Sequence, residues 1–272
     1  MGSTTYYLRA YATNSIGTSY GNELIFTTPS LIASKVYDID GNTYDTIQIG
    51  YQIWLKQNLK TTHYKNGAAI AYATCPGNTA GSYCDFYKDT SYNSSTIYGR
   101  LYDWYTVNTD SLCPTGWHVP SDQEWSALVT YLGNDSTSGG KLKATTLWNS
   151  PNTGATNETG FTALPGGQRD SYCWNSLLGS YGYWWSSTDD SGSNGWYRSL
   201  LYDNSKINRN KYPKSYYYSI RCIKDSFSLA YLPSVTTITA SSIASTTANS
   251  GGNITSIGGA VVTARGVCWS TT

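Results

Sequence analysis

LCPTGWHVPSDQEW, residues 112–125, holds the clearest local signal in the chain. Pro120 precedes Ser121, and Ser121 with Glu124 spells the S-x-x-E capping box that opens a helix. Trp125, Leu128, Val129 and Leu132 then recur at helical spacing, and Gly133 supplies a stop. Upstream, Val36–Ile39, a turn at Asp40-Gly41-Asn42, and the runs Ile47–Ile49 and Ile53–Leu55 read as hairpins. Between these, Gly99–Val107 predicts a second helix with Leu101, Trp104 and Tyr105 on one face. From Lys141 onward the composition turns to Gly, Ser, Asn and Tyr. Short strands at Tyr197–Leu200 and Tyr218–Cys222 are expected there, separated by long loops of the functional kind.

The 272 residues predict about two domains of ordinary size. Lys and Arg number 18 against 17 Asp and Glu, so no charge stripe invites nucleic acid. Charged residues make up 13% and aromatics 15%, with 26 tyrosines and 10 tryptophans, which gives ample surface for a core. No run of about 18 apolar residues is present to span a membrane. At the amino end, Tyr6, Leu8 and Tyr11 alternate, Asn14–Gly17 turns, and Glu23–Phe26 extends again. At the other end, Val235–Ile238, a Gly251-Gly252 turn and Val261–Trp269 are β-like. Met1-Gly2-Ser3 runs straight into strand-like sequence, which reads as an excerpt of a longer chain.

Six cysteines stand at 75, 84, 113, 173, 222 and 268, with no CxxC pair. His63 and His118 are isolated, so neither a metal site nor a cofactor is expected. Cys75 and Cys84 flank a turn that a local disulfide would close. A bridge between Cys113 and Cys222 would close a long loop. Paired cysteines and a lysine-poor surface point to an extracellular or cell-surface setting. Asp38-Ile39-Asp40-Gly41-Asn42 resembles the start of a calcium loop, but its twelfth position is Ile49 where a bidentate Glu is needed. It reads as a hairpin turn. Asp122 and Glu124 are two apart on one helix and face apart, and Asp189 with Asp190 reads as a solvated turn. A general base at His118 is outweighed by a scaffold role beside the helix cap.

The densest signal lies between Gly167 and Cys222, where tyrosines and tryptophans alternate with Asn and Ser. Tyr, Ser, Gly and Asn together are the vocabulary of adaptable binding surfaces. Trp104, Trp117, Trp125, Trp184 and Trp185 read as core. Tyr172, Trp174, Tyr181, Tyr202, Asn204, Asn208, Asn210, Tyr212 and Tyr216 read as an exposed ligand face.

Motifs in one order, among them YGRLYDWYTV (98–107), LCPTGWHVPSDQEW (112–125), GFTALPGGQR (160–169), YWWSST (183–188) and SIRCIKD (219–225), resemble the Fibrobacter succinogenes major paralogous domain. The resemblance implies an α+β, C-type lectin-like fold, in the variant of formylglycine-generating enzymes, with few helices, a small antiparallel sheet and long loops. It also implies a Cys113–Cys222 disulfide and secreted or surface proteins. The enzyme's cysteine pair near the final strand is not reproduced, so no catalysis is expected. Residues 1–29 and 233–272 resemble closing and opening strands of an immunoglobulin-like or fibronectin-III-like repeat, an all-β module split between the chain ends and expected to pair. Residues 30–226 form the central domain. The expected function is a non-catalytic adhesion module that recognises a polysaccharide or protein through its late loops. The alternative is a structural unit of a surface filament, self-associating head to tail.

Overall fold

The computed structural model describes residues 5–9, 11–13, 15–27, 35–73, 81–86, 94–172, 174–225 and 234–256. Two compact units divide the chain, Met1–Lys224 and Asp225–Thr272. In the second, Ser234–Ser241 pairs antiparallel with Asn249–Ser256. At the start of the first, Thr5–Leu8 pairs with Leu24–Thr27 and Tyr11–Thr13 with Thr18–Tyr20. Among the described residues, each of these strands is paired within its own segment as part of a two-stranded ribbon. Residues 257–272, which carry Val261–Trp269, lie outside the described residues.

The remainder of the first unit is built on a nine-stranded sheet. Its path runs Ile207–Pro213, Asn194–Leu201, Tyr181–Asp189, Tyr217–Ser219, Leu101–Asp103, Ser82–Cys84 and Ala71–Tyr72. Gln168–Arg169 and Asn175–Ser176 join off this path. A four-stranded sheet runs Trp117–His118, Ile223–Lys224, Gln52–Leu55 and Thr46–Ile49. Successive side chains in a strand point to opposite faces, and the strand Tyr181–Asp189 uses both. Tyr183 and Trp185 enter one buried cluster with Tyr102, Trp104, Tyr218 and the disulfide. Trp184 enters a second with Trp54, Phe161 and Leu200. The helix Asp122–Leu132 supplies Trp125, Leu128, Val129 and Leu132 to that second cluster.

That helix starts as the local pattern predicts. Ser121 Oγ accepts from the Glu124 amide, and a Glu124 carboxylate oxygen accepts from the Ser121 amide. The hairpins pair Val36–Tyr37 with Thr43–Tyr44 and Thr46–Ile49 with Gln52–Leu55. The five tryptophans read as core are all buried.

Three expectations are corrected. The α+β, C-type lectin-like architecture does not hold: 39% of the described residues are strand and 13% helix, in several sheets. The cause is that the later part of the Ser-, Asn- and Tyr-rich stretch, 181–219, is largely strand rather than loop. Tyr181, Tyr183, Tyr197 and Tyr212 fall on one face of these paired strands, and cross-strand aromatic packing outweighs the weak strand preference of Ser and Asn. The helix over 99–107 is also shorter. Gly99, at φ +79°, sits where a side chain would strike Asn58. The chain then extends as Leu101–Asp103, and only Trp104–Val107 is helical, capped by Asp103. Finally, Cys84 is a free, buried thiol, so the expected Cys75–Cys84 bridge is not formed. Cys84 pairs in a strand with Leu101, which buries it in the sheet. Cys75 itself lies outside the described residues.

Candidate ligand-binding surface

The outer strands of the large sheet carry the surface. In the register Trp185↔Tyr197↔Asn210 and Gly195↔Tyr212, alternation sends Tyr181, Tyr183, Tyr197, Asn208, Asn210 and Tyr212 to one face. Tyr216 and Tyr218 join them from the neighbouring chain segment. Tyr181 stacks on Tyr183 (centroids 5.4 Å, planes 6° apart), and Tyr183 stacks on Tyr218 (4.8 Å, 14°). Tyr197 meets Tyr218 at 5.0 Å, and Tyr212 meets Tyr216 edge-on at 4.6 Å. Six phenols thus form one connected cluster. It is buried at Tyr218, Tyr183 and Tyr197, half-buried at Tyr181 and Tyr216, and 41% exposed at Tyr212.

Ring faces are spent on one another, and hydrogen bonds link Tyr197 to Asn210 and Tyr212 to Tyr216. Burial, then the neighbouring Tyr197, Tyr181 and Tyr212, raise the Tyr183 hydroxyl above its ordinary pKa. Burial and Tyr212 do the same to Tyr197, and burial with the Tyr212 hydrogen bond pushes Tyr216 up to about 12. These phenols stay protonated at neutral pH and offer uncharged donors and acceptors.

Beside the cluster a short turn displays two aromatic rings. Asp170 Oδ1 accepts from the amides of Tyr172 and Trp174, both at 2.9 Å, and the Asp170 amide donates to the Trp174 carbonyl at 3.1 Å. Tyr172 is 81% exposed and Trp174 73%. Tyr172 and Asp170 lie near enough to Tyr216 to act on its hydroxyl.

Of the nine residues read as a ligand face, seven gather here: Tyr172, Trp174, Tyr181, Asn208, Asn210, Tyr212 and Tyr216. Most of the cluster sits on strands rather than on late loops. Tyr202 and Asn204 lie elsewhere. They follow the strand Asn194–Leu201 at the turn beside Lys143, where Tyr202 packs on the helix-side core and the Asn204 carbonyl accepts from Lys143 Nζ at 2.9 Å. Tyr183, Tyr197 and Tyr218 complete the cluster and were not singled out by composition. For Tyr183 and Tyr218, period-two spacing from Tyr181 and Tyr216 was the available signal, while Tyr197 lies on a separate strand.

The other candidates resolve as scaffold contacts. Asp38 accepts from the Asp40 and Asn42 amides and from the Tyr44 hydroxyl, so its carboxylate holds the hairpin turn. His118 Nε2 lies 2.9 Å from Glu124 in the helix cap. Burial raises the Glu124 carboxyl, but His118 and Ser121 outweigh it and hold it below its usual value. Asp122 turns away to Arg198 and Arg209. Burial pushes the Cys84 thiol up to about 12, well away from a reactive thiolate. Clefts of about 290 and 200 Å³ both meet Cys113, the first also lined by His118 and the second by His63. Among the described residues, no group of three or more His, Cys, Asp or Glu side chains is placed to hold a metal.

A disulfide between Cys113 and Cys222 braces this β-rich domain, with a tyrosine-lined face on its outer strands. Residues 47–224 match the model of the Fibrobacter succinogenes major domain, and the chain belongs to that family. No curated protein and no solved structure matches the chain.

Proposed function

We propose that this chain is a non-catalytic, extracellular binding module that engages a polysaccharide or protein through the tyrosine cluster and the Asp170–Trp174 turn. The carrying observation is the exposure of Tyr172 and Trp174 on a turn pre-shaped by Asp170, beside converging phenols. Large aromatics held in place before binding lose little entropy on contact, and exposed ones of this size are the usual energetic anchors. The Cys113–Cys222 bridge supports an oxidising compartment. Glycan and protein arrays probed with the full chain test the reading. Binding that falls in the Tyr172→Ala/Trp174→Ala variant supports it, and blank arrays overturn it.

A second reading rests on a separate observation. Tyr7, Leu24 and Ile25 are exposed on the first strand pair, as are Val235 and Ile238 on the Ser234–Ser241 strand. Two-stranded ribbons with bare apolar side chains invite strand partners. The chain would then act as a repeat unit of a surface filament, its ends completing immunoglobulin-like modules. Concentration-dependent, salt-resistant assembly in sedimentation experiments supports this reading, and a monomer at all concentrations removes it.

A further inference from the structure

Three cations near the tyrosine face, Arg209, Lys211 and Lys214, are already paired. Lys214 Nζ lies 2.8 Å from Asp189 and donates to the Gly192 carbonyl, and Lys211 lies 3.4 Å from Asp190. Arg209 and Lys211 alternate onto the opposite face of their strand, where Arg209 sits 3.7 Å over the Trp196 ring and binds Asp122. Asp170 is committed to the amides of its own turn. The residues facing outward from the cluster itself are Tyr181, Asn208, Asn210, Tyr212 and Tyr216, with no Asp, Glu, Lys or Arg among them.

From this juxtaposition we infer that the ligand is an uncharged polysaccharide, lying across the phenol hydroxyls with a sugar face against Tyr172 or Trp174. This rests on the binding reading above and narrows it. A polyanion would need cations on this face to offset its desolvation, and Arg209, Lys211 and Lys214 are each held by a carboxylate. A neutral sugar presents hydroxyls that both donate and accept, and an apolar ring face of C–H groups, which match this face in kind. The phenols and the Asn208 and Asn210 amides supply matching donors and acceptors. The exposed rings of Tyr172 and Trp174 supply flat apolar area, and the amides of both residues are already held by Asp170.

The test is affinity electrophoresis of the full chain through gels holding dextran, xyloglucan, a β-1,3-glucan or polygalacturonate, at low and high salt. Retardation by at least one neutral polymer, insensitive to salt, is expected. Tyr172→Ala/Trp174→Ala is expected to weaken it by about tenfold or more with an unchanged melting curve. Asn210→Ala, exposed on the edge strand, provides a second variant expected to weaken it. Retardation by polygalacturonate alone, lost at high salt, overturns the uncharged ligand but leaves the binding surface standing if the aromatic variant abolishes it. A protein bound on arrays through the same residues, with no polymer retained, does likewise. No retention and blank arrays overturn both.

Discussion

Arg221 shows how one side chain can tie distant segments together. It is fully buried and donates to the carbonyls of Leu55, Phe161 and Thr162 and, through Nε and Nη2, to Asn58 Oδ1. Burial pushes its guanidinium down to about 9, which still leaves it charged at neutral pH. A planar five-donor fork makes this possible, and an ammonium cannot reproduce it. Arg221→Lys is expected to cost about 3 kcal/mol or more in urea unfolding, because it strands carbonyls without water. Asp40 makes a different prediction. Burial works to raise its carboxyl, but the Thr62 amide, His63 and the Thr61 and Thr62 hydroxyls hold it down at about 2. A folded value below the unfolded one means its contribution is present above about pH 4. That contribution is lost as pH falls toward 2. Asp40→Asn should therefore flatten the loss of melting temperature over that window, measured by circular dichroism.

At the scale of elements, legibility followed locality. The helix Asp122–Leu132 was readable because its cap, apolar stripe and stop all lie within fourteen residues. Ser121→Ala should lower stability by about 1 kcal/mol in thermal melts. The outer strands were not readable in the same way. Asn194–Leu201 and Ile207–Pro213 contain Ser, Asn, Gly and Lys, whose local preference is for turns. What holds them extended is seven register pairs with each other and packing from the other side of the sheet. Gly195 shows the tightness: a Cβ there would lie 2.3 Å from the Trp104 indole. Gly195→Ala is expected to destabilise by about 1–3 kcal/mol through overpacking, read from the urea midpoint. Tyr202 and Asn204 share the composition of the ligand face yet sit at the opposite end of this hairpin. Composition alone carries no register, so it could not separate them from Tyr212 and Asn210.

For the whole molecule, the family motifs identified the domain and the long-range cysteine pair, while the size of the sheet depended on contacts no single segment encodes. The pair Cys113–Cys222 spans 109 positions, and by chain entropy it contributes about 4–5 kcal/mol. Melting with and without a reductant checks that value. The same bond also divides the chain mechanically. Tension applied to segments before Cys113 and after Cys222 runs through sulfur and bypasses everything between, including the strands Tyr181–Asp189, Asn194–Leu201 and Ile207–Pro213. In a pulling experiment, roughly 370 Å of contour should stay hidden until the bridge is reduced. On the proposed surface-module reading, a chain pulled from both sides of the bridge would keep its tyrosine face slack while its flanks bear the load.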